Sequence, residues 1–129
     1  MKMAAVLVVD SNSSGLASLV EPLRKAGYRA IGAGSFETAR NLLHTQWYDL
    51  LITDLRLAAY NGLHLVLHCR AVNPAATAII VAAIADDLSE VEARRLGAHY
   101  IARPVNLEPL LALVGSVLKS ARHPLTRPS

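Results

Sequence analysis

Short apolar runs alternate with amphipathic helical patterns along the chain. The runs that predict buried strands are residues 4–9, 28–33, 50–53, 78–83 and 100–102. After each run, apolar residues recur at helical spacing, which predicts five helices, the second capped by Ser35 and the fourth by Asp86 or Asp87. Regular alternation of this kind is typical of a parallel sheet with helices on both faces. The pattern therefore predicts a doubly wound α/β fold with a five-stranded parallel sheet in the order 2-1-3-4-5 and five helices.

Two carboxylates fall where this architecture binds its ligands. Sheets of this class bind at the carboxyl ends of the strands, where the strand order reverses, which here lies between the first and third strands. Asp10 and Asp54 end those two strands. The pair can hold a cation such as Mg²⁺, or one carboxylate can attack a phosphoryl group as a nucleophile. Both residues can also be helix caps, since aspartate is a favoured N-cap residue. The pattern alone leaves these three interpretations open.

Four segments of the chain add a more specific signal. They are residues 6–10 (VLVVD), 49–62 (DLLITDLRLAAYNG), 96–98 (LGA) and 100–104 (YIARP). In order and nearly in spacing, this set resembles the receiver domain of two-component response regulators, and the resemblance covers about residues 4 to 118. It implies a bacterial signalling domain that is not an enzyme and that accepts a phosphoryl group from a histidine kinase or a phosphotransfer protein.

The resemblance also implies a role for individual positions. Asp54 is the expected phosphoacceptor, and the expected Mg²⁺ ligands are Asp10, Asp54 and the backbone carbonyl of Arg56. Arg103 occupies the position of the cation that contacts the phosphoryl group, and Tyr100 that of the aromatic switch. Helix 4, strand 5 and helix 5 form the expected partner face, through which homodimers of this family can form.

Four positions depart from the family pattern. Ser11 stands where a second acidic residue usually follows the first strand, so Mg²⁺ affinity should be weakened. Ala82 stands where a Ser or Thr hydroxyl usually bonds the phosphoryl group and draws in the aromatic switch. Arg103 replaces the usual Lys, keeping the charge but not the compact ammonium geometry. Ala58 stands where a proline is common, four residues after the phosphoacceptor.

These departures leave more than one function open. Either Asp54 is phosphorylated and the partner face responds, or the domain is a degenerate receiver that binds its partners without phosphate. In both cases Arg103 is expected to pair with Asp54 or Asp10 in the resting state. A third alternative is a flavodoxin-like cofactor binder, in which residues 11–15 (SNSSG) at a helix N-terminus would hold a phosphate. Asp10 would repel that phosphate, and few aromatic residues are available to sandwich a flavin, so this alternative is the weakest.

Composition narrows the class of protein further. The 129 residues suit one receiver domain over residues 1–120, with a tail or linker over residues 121–129. A hydrophobic fraction of 53% excludes disorder, while the longest apolar run, residues 78–85, is too short to cross a membrane. The net charge of +3 is scattered, so direct nucleic-acid binding is not expected. The single cysteine excludes a disulfide scaffold, and no secretion signal is readable, so we expect a cytoplasmic protein.

Several other residues that could carry chemistry are expected to be structural. His64 and His68 lie one helical turn apart, but with no third ligand readable nearby they predict a partly exposed helix face. Cys69 is expected to be a small core residue. Trp47 and Tyr48 are expected to cover an edge of the core. Without a hydroxyl at the end of the fourth strand, Tyr100 could instead be an exposed or packed interface aromatic.

Overall fold

Five parallel strands form the central sheet of the computed structural model, which describes residues 3–83 and 87–121. Numbered in chain order, they are β1 (Ala5–Val9), β2 (Arg29–Ala33), β3 (Leu50–Asp54), β6 (Thr77–Ala82) and β7 (His99–Ala102). Two strands of two residues each, β4 (Arg56–Leu57) and β5 (Tyr60–Asn61), pair with each other in an antiparallel hairpin. The sheet order is β2-β1-β3-β6-β7, so the predicted order is confirmed when the β4–β5 hairpin is set aside.

The described ranges contain five helices, as predicted. They are α1 (Ser13–Lys25), α2 (Phe36–Thr45), α3 (Gly62–Val72), α4 (Asp87–Arg95) and α5 (Leu107–Ala121). Side chains satisfy the first backbone donors of α1 and α2: the Gly15 N–H donates to Asn12 Oδ1 at 2.9 Å, and the Thr38 N–H to Ser35 Oγ at 3.1 Å. The predicted cap of the second helix is therefore confirmed.

Apolar side chains cover both faces of the sheet, and β1 shows how. All five of its residues are buried. Because side chains alternate along a strand, Leu7 and Val9 lie in the cluster with α2 and α3, whereas Val6 and Val8 lie in the cluster with α1 and α5. This double burial explains why the run is continuously apolar instead of alternating with polar residues.

The structure corrects the sequence prediction at three places near the strand ends. The segment after Asp54, predicted as a loop, contains the β4–β5 hairpin, because a two-residue turn at Ala58 and Ala59 reverses the chain. Ala83, predicted as the end of the fourth strand, is exposed and lies beyond β6. Trp47 is 58% exposed, so the prediction that it covers the core was wrong; the inward place is taken by its neighbour Tyr48, which is 2% exposed.

The predicted fourth cap and the predicted tail are described only in part. Asp87 lies in the first turn of α4, where its negative charge interacts favourably with the helix dipole. Asp86 lies outside the described residues. Helix α5 continues through Ala121, and residues 122–129 are also outside the described ranges. Within those ranges, no helix has both the length and the apolar character that crossing a bilayer requires.

Candidate functional site

Asp10 and Asp54 meet at the carboxyl edge of the sheet. Asp54 is the last residue of β3, and Asp10 directly follows β1, whose Val9 pairs with Thr53 of β3. The Asp10 N–H donates to the Ala33 carbonyl at 3.1 Å, which holds the residue at the end of its strand. Asp10 is 2% exposed and Asp54 is partly buried. The switch between neighbouring parallel strands therefore places two carboxylates in a pocket that water reaches only in part.

Arg103 joins the two carboxylates. Its Nη2 atom lies 3.2 Å from Asp10 Oδ2 and 2.5 Å from Asp54 Oδ1. The Arg103 N–H donates to the Ala82 carbonyl at 2.9 Å, which fixes the start of this side chain against the end of β6. The prediction that Arg103 pairs with Asp54 or Asp10 is confirmed, and the structure shows that a single guanidinium nitrogen contacts both.

The charges of this trio act on one another. Burial, together with a hydrogen bond and the charge of Asp10, raises the pKa of Asp54 from 3.8 to about 6, against the opposing influence of Arg103. For Arg103, burial alone would lower the pKa, but the hydrogen bonds and charges of Asp54 and Asp10 raise it above its ordinary value. At neutral pH the guanidinium therefore stays charged, and most Asp54 side chains are ionised.

The first turn of α1 closes tightly over Asp10. The Asn12 N–H donates to Asp10 Oδ1 at 2.9 Å, while Oδ2 faces Arg103. A Cβ atom at Gly15 would lie 2.5 Å from Asp10 Oδ2, so only glycine fits there without a shift. Sequence reasoning missed Gly15; its one signal is a glycine in the first turn of a helix, where alanine is the better helix former. Ser11, in place of a second acid, is exposed.

The main chain around Asp54 is held by several hydrogen bonds. The Leu55 N–H donates to the Val81 carbonyl at 2.9 Å, and the Gly62 N–H donates to the Leu55 carbonyl at 2.7 Å. The Thr53 hydroxyl donates to the Asp54 carbonyl at 3.0 Å, although Thr53 itself is fully buried. A Cβ atom at Gly62 would stand 2.1 Å from that carbonyl oxygen. Neither Thr53 nor Gly62 was singled out from the sequence as part of the site.

The Arg56 carbonyl, predicted as a metal ligand, is oriented by the β4–β5 hairpin. Leu55 and Gly62 form a hydrogen-bonded pair, and Arg56 and Asn61 are the next pair along the hairpin. In an antiparallel ladder such pairs alternate, so the Arg56 carbonyl points out of the ladder. With Asp10 and Asp54 it would make an all-oxygen donor set of the kind that Mg²⁺ prefers, and its role as a metal ligand stays a prediction. Among residues 3–83 and 87–121, no three His, Cys, Asp or Glu side chains gather closely enough to hold a metal.

Of the two switch positions, Ala82 lies next to this site because its carbonyl accepts the Arg103 N–H, and Tyr100 lies on the neighbouring strand β7. Ala82 is 1% exposed and contributes no hydroxyl. The Tyr100 ring is partly buried against the core cluster that contains Ala82. Its hydroxyl oxygen is buried, and no described residue forms a hydrogen bond with it. Tyr100 is therefore a packed aromatic and not an exposed one, whereas its role as a switch stays a prediction.

The histidines and the cysteine lie on α2 and α3, and their surroundings agree with a structural role. His64 is exposed, and His68 is half-buried with its ring 5.5 Å from the ring of His44. Burial lowers the pKa of His68, as do the charges of nearby His44, Arg40 and His64. Cys69 is 2% exposed, as predicted for a core residue, and burial raises the pKa of its thiol to about 11.

Curated relatives of this chain include transcriptional regulatory proteins. Transcriptional regulatory protein ZraR of Escherichia coli is 32% identical over 114 residues, which cover 88% of this chain but 26% of that protein. The chain spans about a quarter of the length of most curated regulators that it matches.

Solved structures that resemble this chain include response regulator proteins. The crystal structure of a response regulator receiver protein from Pseudomonas putida has a TM-score of 0.81 and 36% identity, covering 90% of this chain and 98% of that chain. A response regulator protein from Burkholderia pseudomallei, solved with a phosphorylated aspartic acid, a calcium ion and citrate, has a TM-score of 0.81 and 26% identity, covering 97% of this chain and 75% of that chain. The profile of the family described as response regulator receiver domain matches residues 6–115. By fold and by sequence, the chain belongs to the response regulator receiver domain family of two-component systems.

Proposed function

We propose that this receiver accepts a phosphoryl group on Asp54 from the phosphohistidine of a histidine kinase or a phosphotransfer protein. The observation that supports this most directly is the contact between Asp54 Oδ1 and the Arg103 guanidinium at the open edge of the sheet. A nucleophile and a cation therefore lie together at the strand ends where this fold places its chemistry. Membership in the receiver family leaves the cofactor-binding alternative without support.

The transfer is a displacement at phosphorus. A lone pair of an Asp54 carboxylate oxygen attacks the phosphorus atom, and the bond between phosphorus and the donor's imidazole nitrogen breaks, with its electron pair leaving on the imidazole. The product is an acyl phosphate on Asp54. Arg103 suits the phosphoryl oxygens as it suits the carboxylates, because its N–H groups are charged donors in a fixed plane.

Receivers generally use a divalent cation, and the oxygens of this site fit one. Asp10, Asp54 and the Arg56 carbonyl are the groups that would hold it, because all three supply the oxygen ligands that such a cation prefers. A bound cation would supply charge neutralisation for the phosphoryl oxygens. Ser11 adds no carboxylate to this set, so we propose that the affinity for Mg²⁺ is weakened. The Burkholderia response regulator, whose structure contains a calcium ion and a phosphorylated aspartic acid, supports the proposal that a receiver can bind a divalent cation.

The proposed output surface is formed by α4, β7 and α5. It carries exposed apolar side chains that a partner or a second copy of the chain could cover, including Val91, which is 50% exposed, and Leu107, which is 43% exposed. Arg103 follows β7 directly and contacts Asp54, so it links the acceptor to this surface. We propose a cytoplasmic, non-enzymatic signalling role for the domain.

A degenerate receiver is the second candidate, and Ala82 and Tyr100 favour it. Ala82 has no hydroxyl to bond a phosphoryl group, and the Tyr100 hydroxyl is already buried. A domain whose aromatic side chain is packed inward before phosphorylation could present its partner face permanently. In that case Asp54→Asn would leave partner binding unchanged.

The intact mass of the protein separates the two candidates. Wild type and Asp54→Asn are incubated with acetyl phosphate and Mg²⁺, and then with phosphorylated histidine kinase or phosphotransfer protein. The proposed function expects a gain of one phosphoryl group in the wild type that is absent from Asp54→Asn. No gain with any donor would overturn phosphorylation and leave the degenerate receiver.

A further inference from the structure

The charge balance of the site includes a cation that belongs to the protein. The described part of the pocket contains two carboxylates, Asp10 and Asp54, and one guanidinium whose Nη2 touches both. Ser11, which could have added a third carboxylate, is neutral and exposed. With Arg103 in place, the ionised pocket has a net charge of −1 instead of −2. Its electrostatic attraction for a divalent cation is therefore weaker.

The guanidinium also occupies the carboxylate oxygens that a metal would use. Its Nη2 donates to one oxygen of each carboxylate, Asp10 Oδ2 and Asp54 Oδ1. The other Asp10 oxygen accepts the Asn12 N–H, and the first turn of α1 leaves no space for the Asp10 carboxylate to swing away. A metal that coordinates Asp10 Oδ2 and Asp54 Oδ1 from the side that Nη2 occupies would therefore replace Arg103 there.

We infer that Arg103 is an internal cation that competes with a divalent metal for Asp10 and Asp54, so that the metal binds only when the guanidinium leaves the two carboxylates. This inference rests on the proposed function, because it concerns how the same site is regulated. The affinity of the site for metal then depends on Arg103 as well as on the absence of an acidic side chain at Ser11.

The anchoring of Arg103 indicates how the exchange can happen. Its backbone is fixed by the hydrogen bond to the Ala82 carbonyl, so the exchange involves the side chain alone. That side chain is 33% exposed, which leaves an open direction for it to move toward solvent. The released guanidinium would still be tethered beside Asp54, within reach of anionic oxygens placed on that residue.

Calorimetric titration with MgCl₂ tests the competition. We expect Arg103→Gln to bind Mg²⁺ at least about tenfold more tightly than the wild type, because one positive charge is removed from the two ligands. Arg95→Gln is the matched control: it removes the same charge from an exposed side chain of α4 that forms an ion pair with Glu92 at 3.8 Å. The control should change the affinity less than about twofold. Equal affinities in Arg103→Gln and Arg95→Gln, or no Mg²⁺ binding by either, would overturn the inference.

A second measurement uses the wild type and does not depend on the folding of Arg103→Gln. The side-chain Nε–H signal of Arg103 is followed by NMR while MgCl₂ is added. We expect this signal to shift with the same midpoint as calorimetric binding, since the metal displaces the guanidinium. Saturable Mg²⁺ binding with an unchanged Arg103 signal would contradict the competition. Neither measurement uses a phosphodonor, so failure of the inference is distinguishable from failure of phosphorylation, which is read from the mass of Asp54.

Discussion

Gly15 and Asp10 are in contact in a way that excludes a side chain at position 15: a Cβ atom there would lie 2.5 Å from Asp10 Oδ2. The same Asp10 oxygen accepts a hydrogen bond from Arg103 at 3.2 Å. Any group added to Gly15 therefore presses on a carboxylate that is already engaged. This relationship joins the first turn of α1 to the chemistry of the site.

We predict that Gly15→Ala lowers the free energy of unfolding by about 1–3 kcal/mol, because the added methyl group forces the buried carboxylate to move. The direction is opposite to helix propensity, which favours alanine over glycine by about 1 kcal/mol. Urea unfolding measures the difference. The control is Gly115→Ala in α5, where the nearest atom to the new methyl group is the Tyr28 hydroxyl at 3.7 Å, and this variant should be stabilised. Stabilisation of both variants would contradict the close approach.

The turn of the β4–β5 hairpin gives a second prediction. Ala58 has a φ of +58°, a conformation that costs an L-residue about 1–2 kcal/mol. Ala58→Gly should therefore stabilise the protein by about 0.5–1 kcal/mol, after allowing for the greater freedom of glycine in the unfolded chain. Ala58→Pro should destabilise it, because the proline ring fixes φ near about −65°. Thermal unfolding measures both changes, with Ala59→Gly as the control.

Glycine at position 59 relieves no positive φ and should slightly lower stability. If Ala58→Pro were as stable as the wild type, the turn would have the conformation of a proline-containing family member instead.

The pKa of Asp54 predicts how stability depends on pH. Burial and Asp10 raise the pKa to about 6, above the 3.8 of an ordinary aspartate, so folding favours the protonated form. The contribution of Asp54 to stability is complete at pH values below the unfolded pKa and is lost as the pH rises toward about 6. Asp54→Asn should therefore gain stability relative to the wild type between pH 4 and pH 6.5. Urea unfolding across this range measures the difference, and a constant difference would contradict a raised pKa.

Cys69 gives a prediction about reactivity. Burial raises the pKa of its thiol to about 11, so at pH 8 only about one thiol in a thousand is ionised. We expect iodoacetamide to modify native protein far more slowly than protein in 8 M urea, a difference that mass spectrometry measures. Modification of the native protein at the rate of a small-molecule thiol would show that Cys69 is accessible, in disagreement with its 2% exposure.

The sequence predicted those parts of the site that depend on strand order. Asp10 and Asp54 end neighbouring parallel strands, so the order of elements was enough to place them together, whereas Arg103 was assigned to the site by the resemblance to receiver domains. Their roles in phosphorylation and metal binding stay predictions. Pairing of Arg103 with both carboxylates at once was not predicted, because it depends on side-chain reach.

The features that sequence reasoning missed depend on distances of a few ångströms between distant parts of the chain. Gly15 and Gly62 are required by contacts with Asp10 and with the Asp54 carbonyl, and hydrophobic periodicity contains no information about such contacts. Trp47 was misplaced for a related reason. An aromatic residue beside a strand is apolar whichever side it faces, and only the burial of Tyr48 decides between them.

The hydrogen bonds around Asp54 have a mechanical consequence. Leu55, which follows it, is hydrogen-bonded to β6 and to the start of α3, and the Asp54 carbonyl accepts the Thr53 hydroxyl and lies close to Gly62. The backbone of Asp54 is therefore held rigidly in place. A bulky charged group on the Asp54 side chain therefore cannot be accommodated by a shift of β3. The side chains that face the carboxylate must move instead. Of these side chains, Arg103 is 33% exposed and has room to move toward solvent.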